Sequence, residues 1–142
     1  MFYSELVKKA CEICFEAHKE DKDKAGYPYV FHPFYVASQL DSENEVIVAL
    51  LHDVLEDHGD TYSFDDLAKY FSEEIIEALR LLTHQKDVPY MEYVHAISKN
   101  VLARKVKIED LKHNLDIRRT NGMKTKKYDL YQHALEYLEK GN

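Results

Sequence analysis

No stretch of the sequence is apolar for long enough to approach a membrane span. The N-terminus, MFYSELVKKA, has no apolar signal-peptide core, so the expected location is the cytoplasm. Positive charge is in deficit. Nineteen Lys and Arg face 26 Asp and Glu, for a net charge of −7 and a pI of about 5.6. That balance argues against nucleic acid or a membrane surface as a general partner. Cysteine is scarce, with two residues. Cys11 and Cys14 form a C-x-x-C, but they lie inside an apolar helical pattern with Leu6, Val7, Ala10 and Ala17. A thioredoxin-like motif needs a strand before it and an exposed helix start, so buried thiols are expected instead. Alternating apolar and polar runs of useful length are missing, which leaves no strand to predict. Repeats and low-complexity tracts are also missing, and four glycines and three prolines make no linker.

What remains is a 142-residue chain, 45% apolar, long enough to bury a core as one domain over 1–142. The pattern predicts an all-α bundle of about eight helices. Ser4 caps a helix to about Lys19. Pro33 sits in the first turn of another helix running to Leu40, and Asp41 or Ser42 caps the next. Ser63 caps a short helix to Phe71, and Ser72 starts one to about Thr83. Pro89 opens a helix to Lys99. A long helix is expected from Val101 to about Arg118, broken by Asn121-Gly122, and a last one from Lys127 to Lys140.

The stretch Glu45–Asp57, EVIVALLHDVLED, reads as one continuous helix. At about 100° per residue Ile47, Leu50, Leu51, Val54 and Leu55 share one face. His52, Asp53, Glu56 and Asp57 share the other, with no Lys or Arg among them. Like charges at i,i+4 are unfavourable unless something positive sits between them, and a metal ion is the economical candidate. A solvated polar face with an incidental His accounts for the same residues. Elsewhere, His32 opens a helix, and Asp110 and Asn114 share a face of the late helix at i,i+4. Two His and two Asp can fill a mixed nitrogen and oxygen shell, which suits Mn²⁺, Fe²⁺ or Zn²⁺ better than Mg²⁺. Their spacing in sequence does not establish that they meet.

Four segments carry a resemblance: Ala17-His18, GYPYVFHP at Gly26–Pro33, VALLHDVLED at Val48–Asp57 and VKIEDLKHNL at Val106–Leu115. Together they resemble the HD superfamily of metal-dependent phosphohydrolases, and more narrowly the hydrolase domain of RelA/SpoT-type alarmone enzymes. The resemblance implies a divalent metal, Mn²⁺ first with Fe²⁺ or Zn²⁺ as alternatives, held by residues matching His32, His52, Asp53 and Asp110. It implies that the pair matching Glu56-Asp57 serves the attacking water. His18 and His113 are expected to support the site rather than to ligate. The substrate implied is a small phosphorylated nucleotide; charge and position, rather than the resemblance, make Lys24, Lys107 and Asn114 its expected contacts. Of the late basic residues only Lys107 and Lys112 are set apart from a solvated face. No synthetase activity is expected, since the chain ends at Asn142.

The family's reference reaction removes the 3′-pyrophosphate of ppGpp. Two departures bear on it. Asp23 stands where an Arg normally helps hold the nucleotide, and Asp116 stands near the same pocket in place of a cation. Anions there predict a broader or different nucleotide preference. The alternative to an enzyme is an HD-fold module that senses a nucleotide or contacts a protein without turnover. Oligomeric state is left open.

Overall fold

Six consecutive residues, Val46 to Leu51, are buried on every side and form the axis of the molecule. They belong to α3 (Glu43–Leu51). Around it pack α1 (Glu5–His18), α2 (Phe31–Ser38), α6 (Glu73–Leu82) and α8 (Val101–Asn114). The remaining helices are α4 (Val54–His58), α5 (Phe64–Ala68), α7 (Tyr90–Ser98) and α9 (Tyr128–Glu139), with a 3₁₀ turn at Ile117–Thr120. The computed structural model describes residues 1–140; Gly141 and Asn142, the last positions of the domain expected over 1–142, lie outside the described residues. No strand is present among the described residues, beyond one isolated bridge between Lys22 and Pro28. The fold is the all-α architecture expected.

The expected helix starts have their chemistry. Ser4, Ser42 and Ser72 each accept a backbone N–H three residues on, and Ser63 with Asp66 forms a reciprocal capping box. Asn100 caps α8 through Ala103 N–H at 2.8 Å. Each such cap is worth about 1 kcal/mol. Cys14 is fully buried and Cys11 half-buried, both as free thiols. Burial pushes the Cys14 thiol up to about 12, which keeps it protonated and inert.

Three expected boundaries are corrected, the smallest at the helix expected to reach Phe71, which ends at Ala68. The Glu45–Asp57 helix is not continuous: α3 stops at Leu51 and α4 starts at Val54. The buried His52 ring donates from Nδ1 to the Ala49 carbonyl at 2.5 Å. That carbonyl would otherwise accept from Asp53 N–H, so the helical ladder opens there. Asp53 takes φ −105° and ψ −1° and begins a new turn. The third correction is at the end of α8, which stops at Asn114 rather than near Arg118. Asp116 is extended there and accepts Arg118 N–H at 3.0 Å, capping the 3₁₀ turn. Arg119 folds back onto the His113 carbonyl at 2.9 Å, where a cation complements the helix end.

Candidate active site

The break after α3 turns His52 and Asp53 toward α2 and α8. His32, in the first turn of α2, places Nε2 2.7 Å from Asp110 Oδ1 in the middle of α8. His52 Nε2 lies 3.1 Å from Asp53 Oδ2 and 3.4 Å from the same Asp110 oxygen. His32, His52 and Asp110 are buried. Ligand atoms of His32, His52 and Asp53 all fall within 4.8 Å of one another. Neighbouring ligands on an ion with bonds of about 2.1 Å lie about 3 Å apart, so these spacings fit one coordination shell.

A direct test of fit comes from His52. Its Nδ1 proton is committed to Ala49, and its Nε2 is buried without a hydrogen-bond partner despite two nearby carboxylates. Burial alone would lower its pKa, but Asp53 and Asp110 outweigh burial and hold it well above the usual imidazole range. The field that retains a proton at that point suits a divalent cation equally. Burial alone would raise Asp53, but chiefly His52 drives it far below the ordinary carboxylate range. His32, His52 and Asp53 meet the spacing of one shell, Asp110 lies against both imidazoles, and this donor set fits a divalent metal.

Each of the four is oriented by a neighbour. His32 Nδ1 meets His113 Nδ1 at 2.8 Å with the two rings nearly parallel, and Tyr35 stacks on His113. Burial, then Arg119, pushes His113 down to about 4, so it is neutral and able to accept from His32. The Tyr29 hydroxyl donates to Asp53. Lys107 Nζ holds Asp110 Oδ2 at 2.9 Å, and Asn114 Nδ2 donates to Asp110 Oδ1 at 3.1 Å.

A cavity of about 260 Å³ opens over this cluster. Its wall includes Asp53, Glu56, Asp57, Lys107, Asp110 and Asn114, and Lys24 stands on it from the loop after α1. His32 and His52 lie beneath. Glu56 accepts His84 N–H at 2.8 Å, which fixes its carboxylate toward the cavity side of α4. Burial raises the Glu56 pKa against that hydrogen bond. Asp57 is pushed up to about 7, first by burial, then by Asp53 and Glu56.

The rim of the cavity differs from the sequence expectation. Asp23 lines the cavity, but its Oδ1 accepts Ala25 N–H at 3.0 Å and Tyr27 N–H at 2.9 Å. Its other oxygen is 4.0 Å from Arg119. Asp116 is outside the cavity and paired with Arg118 at 2.7 Å. Lys112 is also outside it, paired with Glu109 at 3.5 Å. Arg119, grouped in sequence with a solvated face, reaches the wall through the 3₁₀ turn. Thr120, Thr125 and Tyr131 join it there. Asn114 lines the wall with its amide engaged by Asp110 and Arg119. Arg119, His84 and Tyr29 are the residues whose roles the sequence reading missed. Of these only Tyr29, three residues before His32, lay inside a quoted motif.

No family model matches the sequence. A guanosine-3′,5′-bis(diphosphate) 3′-pyrophosphohydrolase of Aquifex aeolicus is 35% identical over 92 residues, covering 62% of this chain and 13% of that protein. The enzyme of the same name, MESH1, from Danio rerio is 33% identical over 113 residues, or 70% of this chain and 62% of the relative. The chain thus spans less than two thirds of either relative. A solved structure of a metazoan orthologue of SpoT, described as hydrolysing ppGpp, superposes with a TM-score of 0.75. It covers the whole of this chain and 90% of its own, at 23% identity, and speaks to the fold. Among the described residues no helix is long and apolar enough to cross a membrane. In sequence the chain resembles the RelA/SpoT-type ppGpp pyrophosphohydrolases, and in fold the SpoT orthologue.

Proposed function

We propose that the chain, as one domain over 1–142, is a cytoplasmic metal-dependent phosphohydrolase that removes the 3′-pyrophosphate of ppGpp or a close nucleotide relative. The observation that carries this reading is one cavity with three chemistries in it. Asp53 and Asp110 line it beside the buried His32 and His52, two carboxyls of raised pKa stand on one wall, and Lys24 and Arg119 stand at the rim. His32, His52, Asp53 and Asp110 would hold the ion, with Mn²⁺ the leading candidate ahead of Fe²⁺ and Zn²⁺. A divalent ion supplies a more acidic water and charge stabilisation at a phosphoryl oxygen.

The chain's own residues do the rest. Glu56, held by His84 N–H, takes a proton from the attacking water, and Asp57 shares it. Water oxygen bonds to the phosphorus, the bond to the 3′-oxygen breaks, and the proton returns to that oxygen. Lys24 and Arg119 neutralise phosphate charge, Arg119 with a planar fork suited to it. Lys107 and Asn114 act mainly by fixing Asp110. The amide donors on Asp23 and the nearby Arg119 offset the anion that had argued against ppGpp.

The test is kcat/KM for ppGpp beside a panel of phosphorylated nucleotides, with Mn²⁺ present. A preference for ppGpp of about 10³-fold, roughly 4 kcal/mol, is the expected result. Equal rates across the panel refute the substrate, and binding without any turnover refutes the enzyme in favour of a sensing module.

A further inference from the structure

Behind Tyr29 a second group of ligand-type side chains converges. The Tyr29 ring centroid lies 5.7 Å from that of His32 on one side and 5.0 Å from that of His18 on the other. His18 is the last residue of α1, and His58 is the last residue of α4, which packs against α1. Asp21 lies in the loop between α1 and α2. Backbone hydrogen bonds pin it on both sides: its N–H to the His18 carbonyl, and its carbonyl to Tyr29 N–H, both at 2.9 Å.

Both imidazoles aim at one oxygen. His18 Nδ1 is 3.0 Å and His58 Nε2 is 2.6 Å from Asp21 Oδ2. The two rings meet at 70°, and the three ligand atoms lie within 4.8 Å of one another. Three ligands on one face of an ion, with bonds of about 2.1 Å, sit about 3 Å apart. Two of the three spacings are already close to that value. The His18 side chain is fully buried, while those of Asp21 and His58 are 31% and 27% exposed. The open side is a surface cavity that Glu20, Asp21, Glu56, Asp57 and His58 line, with Lys22 its one basic residue. Among the described residues no Lys or Arg pairs with Asp21. An ion there would have a solvent path, a negative surround and free coordination positions.

We propose that His18 Nδ1, Asp21 Oδ2 and His58 Nε2 form a second site for a late first-row divalent ion, separate from the His32–His52–Asp53–Asp110 cluster. Two nitrogens and one oxygen favour Zn²⁺ or Fe²⁺ over Mg²⁺ and Ca²⁺, which prefer all-oxygen shells. The site is independent of the hydrolase reading, because none of its three residues belongs to that cluster.

The experiment is calorimetric titration of the chelator-treated full chain with Zn²⁺, with far-UV circular dichroism to verify folding. Wild type is expected to bind two ions. His58→Gln and Asp21→Asn, both at partly exposed positions, should each bind one. A His52→Ala, Asp53→Ala double variant should also bind one, and adding His58→Gln to it should bind none. A wild-type count of one that survives His58→Gln and Asp21→Asn overturns the second site and leaves the first standing. A single ion lost in His58→Gln but retained in the double variant keeps the second site and removes the first. Counts of two in both single variants also overturn the proposal.

Discussion

Replacing Lys107 with Met separates the charge of that residue from its packing. Lys107 is buried, its Nζ lies 2.9 Å from Asp110 Oδ2, and it stands over the Tyr93 and Tyr90 rings at 5.2 and 5.8 Å. Burial alone would lower its pKa, but Asp110 reverses this and keeps it charged. Met retains the stem in the same space, so little cavity forms. Asp110 is then left buried with one positive partner removed. Breaking a buried pair in this way costs about 3–5 kcal/mol. His32 and His52 still face Asp110 at 2.7 and 3.4 Å, which favours the lower end. For 142 residues the unfolding entropy near Tm is about 0.3 kcal/mol per degree, so about 3 kcal/mol lowers Tm by about 10 °C. Differential scanning calorimetry in EDTA gives that number. Saturating Mn²⁺ should narrow the deficit, because an ion beside Asp110 supplies the missing positive charge. A chelated Lys107→Met protein melting within about 2 °C of wild type refutes the value assigned to the pair. A deficit that Mn²⁺ leaves unchanged refutes the placement of Asp110 beside the ion.

Glu56→Gln should keep the fold and the metal, since the amide oxygen still accepts His84 N–H, while kcat falls at least about 10²-fold. Full turnover in steady-state assays would remove Glu56 from the mechanism. Asp57 gives a pH signature. Its folded pKa of about 7 stands above the ordinary carboxyl value of 3.8, so the folded state binds the proton more tightly. The stability it contributes is present below pH 4 and is lost as pH rises through 7. Burial of the carboxyl is partial and the residue still faces solvent, so screening limits the effect to about 1 kcal/mol. Melting curves in EDTA should therefore show Asp57→Asn losing less stability than wild type between pH 5 and 8; parallel curves would count against the raised pKa.

Serine caps, the proline at the head of α2 and the His-Asp motifs were legible in sequence because they act through residues a few positions apart. The break at His52 was not. Hydrophobic periodicity runs through Leu51 into Val54 unbroken, and a ring-to-carbonyl bond three residues back leaves no mark on it. The same holds for Arg119. Composition placed it among solvated cations, and only the turn set by Asp116 swings it to the cavity wall. Asp23 was read as a repelling charge because its identity was visible while its two backbone donors were not. His58 and His84 had no role in sequence because their partners, Asp21 and Glu56, lie 37 and 28 positions away.

The interruption between α3 and α4 also divides the molecule by how its parts open. Val46 to Leu51 are enclosed by four helices and can exchange their amide hydrogens only when the whole core comes apart. The five residues of α4 are too few to persist as a helix alone, and they are fixed by packing on α1 and by side chains that reach across from other segments. Glu56, Asp57 and His58 therefore ride on one short turn, tied to the core through the fully buried Val54. Fraying of that turn beyond Val54 would displace the two acids from the cavity while the buried framework beneath them stays closed.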